Sequence, residues 1–197
     1  MILTEQKLSI IDTNTMKNKI EKYLKELKTT LNNININDIE VVANLFTTAR
    51  ESKKHIYVFG NGGSGSTASH MVCDIIKGCS FNKKERFKIS CLNDNIPTIL
   101  AYSNDVNYDV IFIEQLKNLL EDGDIVLGIS GSGNSKNVVS AIEYANSCGN
   151  TTIGFTGYNG GKLKKISTVS VDAMIDDMQI SEDIHLITLH ILYKLLV

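Results

Sequence analysis

The sequence predicts an α/β fold in which a five-stranded parallel sheet lies between two layers of helices, preceded by an N-terminal helical hairpin. From residue 56 onward, short apolar runs alternate with segments of helical periodicity, and this alternation is typical of parallel sheets covered on both faces. The first 55 residues lack such runs and carry apolar residues at helical spacing instead. We therefore expect one domain over residues 1–197, with the hairpin in 1–55 and the three-layer core in 56–197.

The hairpin consists of two predicted helices. Apolar residues recur at helical spacing between residues 16 and 31, and again from Ile39 to Phe46. The polar segment Asn35–Asn37 separates the two stretches. Such a pair of helices packs against the core or against another subunit.

The core contains five predicted strands, at residues 56–59, 87–92, 124–129, 151–156 and 168–171. Helical patterns connect and follow them, at residues 66–77, 97–102, 109–120, 135–147 and 180–197. Pro97, the one proline of the chain, suits the first turn of its helix. Because the carboxyl ends of parallel strands face the ligand in such sheets, the loops after the first and third strands share one edge.

Composition excludes several classes of partner. The 197 residues carry a formal net charge of -2, so no general attraction to nucleic acid or an anionic membrane is expected. Residues 1–11 lack the apolar segment of a signal peptide, and no apolar run is long enough to span a bilayer. The four cysteines show no zinc-finger spacing, which fits free thiols in a reducing cytoplasm.

Two loops rich in glycine, serine and asparagine follow predicted strands and precede helices: Gly60–Ser66 and Ser130–Ser135. Glycine lets the backbone approach an anion, and the following helix offers unpaired N–H groups. A plain turn and a set of helix caps are the alternatives, but the four glycines and three serines exceed what those need. Neither the lysine of a nucleoside triphosphate loop nor the acidic residue of a dinucleotide site is present. The loops therefore predict a site for a small phosphate ester.

Titratable residues fall on two of the predicted helices. His70 and Asp74 are four residues apart and share a face, and Glu182 and His190 lie about 80° apart on the last helix. A lone histidine is more often structural than functional. Together, these four residues have the composition of a zinc site or of an acid–base pair.

The two loops, together with His70, resemble the SIS (sugar isomerase) domain, and most closely its sedoheptulose-7-phosphate isomerases, also called phosphoheptose isomerases. Nearly the whole chain takes part in the resemblance. Further matching stretches are Asn104–Asp105, Ile153–Gly157, Gly160–Leu163, and the pair His185 and His190.

The resemblance implies a homotetramer with one zinc ion per subunit, and conversion of sedoheptulose 7-phosphate to D-glycero-D-manno-heptose 7-phosphate for activated-heptose biosynthesis. The metal ligands it implies are His70, Asp74, Glu182 and His190, of which Asp74 is expected as the base and His190 as the acid, or the reverse. Substrate-binding positions are Asn61, Gly62, Gly63, Ser64, Asp74, Asn104, Asp105, Ser130, Gly131, Ser132, Ser135 and Glu182.

The chain departs from the family pattern at four positions. Asp74 stands where glutamate is usual and Glu182 where glutamine is usual, while Gly131 and Asp183 replace the usual threonine and glutamate. These changes leave open an isomerase of another ketose phosphate, or a non-catalytic module that binds sugar phosphates. Retention of His70, Asp74 and His190 favours catalysis, because a pure binder does not need them.

Overall fold

A computed structural model describes residues 13–197, so the expectation for residues 1–11 lies outside the described part of the chain. One five-stranded parallel sheet forms the centre of the fold, as predicted, and its strand order is β2-β1-β3-β4-β5. Its strands are β1 (His55–Gly60), β2 (Lys88–Cys91), β3 (Ile125–Ser130), β4 (Thr151–Thr156) and β5 (Val169–Asp172).

Eight α-helices surround this sheet in the described part of the chain. They are α1 (Thr13–Asn33), α2 (Ile36–Ser52), α3 (Gly63–Asp74), α4 (Ile96–Asp105), α5 (Ile113–Leu119), α6 (Lys136–Ser147), α7 (Gly161–Ile166) and α8 (Met178–Leu196). Among residues 13–197, no helix has both the length and the apolar character that crossing a bilayer requires.

The two faces of the sheet bury separate apolar clusters. Alternate residues of β1 divide between them, because successive side chains of a strand point to opposite faces. Ile56 and Val58 belong to the cluster under α2, α3 and α8, while Tyr57 and Phe59 belong to the cluster under α5, α6 and α7. This gives the three-layer arrangement that the sequence predicts.

Three local features differ from the sequence prediction. Helix α3 begins at Gly63 rather than at residue 66, so part of the predicted first loop is its first turn. The predicted helix 109–120 is a 3₁₀ turn, Tyr108–Val110, followed by α5, and the buried Ile111 and Phe112 lie between the two. Helix α7 was not predicted, since six residues are too few for a periodic pattern.

Helices α3 and α8 run side by side in the same direction, and this pairing positions the site. Asp74, on α3, lies near His190 of α8. Beyond Asp74 the chain widens into a π-helical turn, Ile75–Cys79, where Gly78 packs directly against the ring of Tyr193. A side chain at Gly78 would push the helices apart, since its Cβ would lie 2.6 Å from the Tyr193 hydroxyl.

Candidate active site

The serine loop, Ser130–Ser135, begins at the end of β3 and leads into α6. The Ser130 hydroxyl is 3.0 Å from the Ser135 hydroxyl and 3.5 Å from that of Ser132. Ser135 is the N-cap residue of α6 but makes no capping hydrogen bond through its side chain. Helix capping alone therefore does not explain this serine, and the three hydroxyls form a cluster of donors beside the start of a helix.

Backbone contacts hold the serine loop in shape. Gly133 has a φ of +65°, its N–H donates to the Ser130 carbonyl at 2.9 Å, and its carbonyl accepts from Leu163 N–H at 2.8 Å. The Gly160 carbonyl lies so close that a Cβ on Gly133 would collide with it. Positive φ and this close approach both require glycine here. The loop conformation is thus fixed by its neighbour at the start of α7.

The glycine loop after β1 is tied to α6 by an amide pair that the sequence does not reveal. The side chains of Asn61 and Asn137 exchange two hydrogen bonds of 2.9 Å, and the Tyr108 hydroxyl also donates to Asn61 at 2.9 Å. Asn93 fixes the other side, accepting from Gly60 N–H and donating to the Gly60 carbonyl. No spacing in the sequence connects these residues, because only the tertiary fold brings them together.

A cavity of about 290 Å³ lies between the two loops and the start of α8. Three glycines make room for this first turn of α8: Cβ atoms on Gly63, Gly131 and Gly157 would overlap Glu182, Met178 and Ser181 respectively. The residues that line the cavity are Asn61, Gly62, Gly63, Ser64, Ile129, Ser130, Gly131, Ser132, Ser135, Met178 and Glu182. Nine of the predicted substrate-binding residues therefore share one cavity.

Glu182 is the one titratable residue among those that line this cavity. Its carboxylate lies against the backbone of Gly63, in the first turn of α3, where a Cβ would come within 2.6 Å of Glu182 Cδ. A helix N-terminus favours negative charge. Within the described residues, no hydrogen bond or ion pair engages this carboxylate.

A second cluster forms where α3 meets α8. His70 Nε2 lies 3.4 Å from Asp74 Oδ2, and His190 Nε2 lies 3.9 Å from the same oxygen. The two imidazole rings meet edge to face with centroids 5.2 Å apart. All three side chains are accessible, with exposed fractions of 44% for His70, 29% for Asp74 and 51% for His190.

These three residues could hold a metal ion. One ligand atom from each lies within 4.8 Å of the others, and two imidazoles with one carboxylate form a donor set found in catalytic zinc sites. Glu182, predicted as a fourth ligand, does not belong to this group. His190 follows Glu182 by eight positions on α8, which amounts to about 12 Å along the helix axis.

The predicted pair Asn104 and Asp105 lies at the end of α4 and does not line the cavity. The Asn104 amide donates to the Asp105 carboxylate at 2.7 Å, and both residues are exposed. Within a single chain, the predicted pair Asn104 and Asp105 therefore lies outside the cavity.

His185 lies between Glu182 and His190 on α8, but its side chain is part of the buried interior rather than of the candidate site. It is fully buried, and its Nε2–H donates to the Thr156 carbonyl at 3.1 Å. Burial lowers the pKa of His185 to about 4, so the imidazole is neutral at physiological pH. Its Nδ1 has no partner in the described part of the chain.

Helix α1 contacts the start of α8 through one hydrogen bond that the sequence does not predict. The Tyr23 hydroxyl donates to Asp183 Oδ2 at 2.6 Å, next to Glu182. This bond, with smaller effects of burial and neighbouring charge, raises the pKa of Tyr23 to about 12. The N-terminal hairpin thus reaches the helix that carries the candidate residues.

Comparison with known proteins adds an independent line of evidence. The SIS domain family matches residues 19–157 of the chain. A probable phosphoheptose isomerase from Thermoplasma acidophilum is 37% identical over 172 residues, which span 87% of this chain and 94% of that protein. The phosphoheptose isomerase of Aquifex aeolicus is 32% identical over 178 residues, spanning 90% and 92%.

A solved structure shares the fold. A phosphoheptose isomerase from Francisella tularensis superimposes with a TM-score of 0.83, covering 95% of this chain and 98% of that one at 24% sequence identity. The likeness extends over nearly the whole length of both chains, so it includes the N-terminal helices as well as the sheet.

Proposed function

Because the chain belongs to the SIS domain family and, within it, to the phosphoheptose isomerases, we propose that it converts sedoheptulose 7-phosphate to D-glycero-D-manno-heptose 7-phosphate. One observation carries the proposal: the hydroxyls of Ser130, Ser132 and Ser135 share a cavity with the carboxylate of Glu182. Hydroxyl donors suit the phosphate of the substrate, and a carboxylate suits the hydroxyl groups and reacting carbons of the sugar.

The serine loop is the proposed phosphate site. Its hydroxyl donors lie beside the N-terminus of α6, whose free N–H groups and positive end of the helix dipole also attract an anion. Ser64, buried at the start of α3, lines the same cavity. Binding energy from the phosphate, remote from the reacting carbons, can orient the sugar chain and so lower the barrier.

Zinc is the proposed metal, and His70, Asp74 and His190 would hold it. Bound there, it would polarise an oxygen of the sugar and so favour the enediol. Two of these residues have a second predicted role. Asp74 as base and His190 as acid, or the reverse, remain predictions from the sequence, and substitution of either one also removes a proposed ligand.

A homotetramer is the proposed assembly. Four large apolar side chains of α1 are exposed in the isolated chain, namely Met16, Ile20, Leu24 and Leu31. Their burial between copies would be favourable. We expect light scattering to give four times the 21.8 kDa chain mass, and a monomeric mass would contradict the assembly.

The free thiols of all four cysteines support a reducing, cytoplasmic compartment.

The reaction is tested by incubating the purified protein, loaded with zinc, with sedoheptulose 7-phosphate and following the sugar by NMR. We expect signals of a manno-heptose 7-phosphate, and chelation of the metal should slow their appearance. Fructose 6-phosphate serves as the matched shorter ketose. Conversion of fructose 6-phosphate alone would indicate an isomerase of another ketose phosphate. Binding of both sugars without conversion of either would indicate a sugar-phosphate-binding module.

A further inference from the structure

The glycine loop and helix α6 share a hydrogen-bond network whose direction is set by the backbone. Asn137, at the start of α6, accepts from the N–H of Val138 through its Oδ1 at 2.9 Å. A backbone N–H can only donate, so this bond fixes which end of the Asn137 amide is the carbonyl oxygen. The same Oδ1 accepts from Asn61 Nδ2 at 2.9 Å, and Asn137 Nδ2 donates to Asn61 Oδ1 at 2.9 Å. The orientation of the Asn61 amide therefore follows from that of Asn137.

Tyr108 uses the remaining acceptor capacity of Asn61. Its hydroxyl lies 2.9 Å from Asn61 Oδ1, and because this oxygen carries no hydrogen, the tyrosine must donate. A side-chain carbonyl oxygen has two lone pairs, which here take one hydrogen bond each from Asn137 and Tyr108. One N–H of the Asn61 amide has no partner among the described residues, and Asn61 lines the cavity. The side chain can therefore offer a ligand only a hydrogen-bond donor.

A donor at this position suits a ligand rich in oxygen. Phosphate and sugar oxygens accept hydrogen bonds, whereas an Asn61 carbonyl oxygen with a free lone pair would repel a phosphate oxygen. Holding a side chain in its bound arrangement before the ligand arrives also reduces the ordering cost of binding. Tyr108 can supply both effects without touching the ligand, because it is half exposed and does not line the cavity.

We propose that Tyr108 is a positioning residue for substrate binding. Its hydroxyl acts through Asn61, whose amide then presents a donor, and no acceptor, to an oxygen of the sugar phosphate. For the identity of the ligand, this inference rests on the proposed function. Because Tyr108 acts on the substrate only through Asn61, loss of its hydroxyl should weaken binding and leave the chemical step unchanged.

The test is Tyr108→Phe, which removes one hydroxyl from a half-exposed ring and so should not prevent folding. For sedoheptulose 7-phosphate, we expect KM and the apparent dissociation constant measured by calorimetry to rise roughly fivefold, as loss of one hydrogen bond allows. The value of kcat should stay within about twofold of wild type, and the urea midpoint should change little. Tyr102→Phe is the matched control, because the hydroxyl of this α4 tyrosine has no hydrogen bond among the described residues. It should change none of these values.

A double variant decides whether Tyr108 acts through Asn61. In an Asn61→Ala background the amide is absent, so Tyr108→Phe should change the dissociation constant by less than about 1.5-fold. An equal rise in both backgrounds would overturn the inference, because Tyr108 would then act on the ligand independently of Asn61. An unchanged dissociation constant for Tyr108→Phe alone, or a fall in kcat with unchanged KM, would also overturn it. A wild-type protein that binds sedoheptulose 7-phosphate without converting it would contradict the proposed function alone, since the binding comparison would still test Tyr108.

Discussion

The candidate site has a loop end and a helix end, and the two are built differently. The loop end, Ser130–Ser135, is held by backbone hydrogen bonds and by glycines that allow close contact with the start of α7. The helix end consists of His70, Asp74 and His190, whose side chains lie close to one another. Ser130 is 3% exposed, whereas the side chain of His190 is 51% exposed.

Under the proposed function, this difference separates substrate binding, at the loop end, from the chemical step, at the helix end. The loop end takes its shape from backbone hydrogen bonds within one chain. The helix end depends on the chemistry of exposed side chains, so its substitution should change activity with little effect on stability. Substitutions on the buried face of the same helix, α8, should instead change stability more than activity.

The largest expected effect is that of His190→Ala at the helix end. Loss of an imidazole that serves as a ligand or as an acid should lower kcat by roughly 1,000-fold. Zinc content should fall too, while the urea midpoint should change little, because the side chain is half exposed. Activity, metal analysis and urea unfolding measure these effects. Lys194→Ala, exposed on the same helix, is the control, and an active, folded His190→Ala protein would contradict the role.

His185 provides the opposite case, five residues before His190 on α8. Its pKa falls from 6.5 in the unfolded chain to about 4 in the folded protein because it is buried. The unfolded state therefore binds more protons than the folded state between these values. The contribution of neutral His185 to the free energy of unfolding is fully present above pH 6.5 and is lost as the pH drops towards 4. The loss amounts to roughly 3 kcal/mol.

Urea unfolding at pH 7 and pH 4.5 measures this dependence. The difference between the two pH values should shrink in His185→Gln, which keeps a donor for the Thr156 carbonyl but does not titrate. Thr188→Val, a substitution at a buried neighbour without a titratable group, should keep the wild-type difference. An unchanged difference in His185→Gln would show that other groups govern acid sensitivity.

The two ends of the site also differ in how well the sequence predicts them. The serine loop could be predicted because its residues are adjacent in the chain, between a buried strand and a helix. Local composition alone carries the prediction of an anion site there. The five strands were predictable for a similar reason, since buried parallel strands are continuous apolar runs.

The helix end could be predicted only in part. Spacing placed His70 and Asp74 on one face, but the sequence could not show that α3 and α8 run parallel, or that Gly78 allows their approach at a π-helical turn. Nor could it place Glu182, because the contact with Gly63 is tertiary. The pair Asn61–Asn137 was missed for the same reason.

Gly63→Ala changes the contact through which the glycine loop positions Glu182. Alanine is a better helix former by about 1 kcal/mol, so stability should not decrease. Its Cβ would overlap the Glu182 carboxylate and displace it, and a displacement of about 1 Å can reduce kcat roughly 100-fold. The expected result is a folded, stable protein with low kcat.

Activity and urea unfolding of the same Gly63→Ala preparation separate these effects. In a Glu182→Asp background, the shorter side chain leaves more space, so Gly63→Ala should cost less activity than it does in the wild-type protein. Equal losses in both backgrounds would mean that the overlap with Glu182 is not the cause.

The smallest expected effect is that of Tyr23→Phe, which tests whether the helix end depends on the N-terminal hairpin. The substitution removes the hydrogen bond to Asp183 and should reduce the free energy of unfolding by about 1 kcal/mol. Tyr102→Phe, whose hydroxyl has no hydrogen bond among the described residues, should have a smaller effect. Because Asp183 points to α1 and Glu182 to the cavity, kcat should stay within about threefold of the wild-type value. A fall in kcat of much more than threefold in a protein that remains folded would mean that α1 aligns the start of α8 for catalysis. The helix end would then depend on the hairpin.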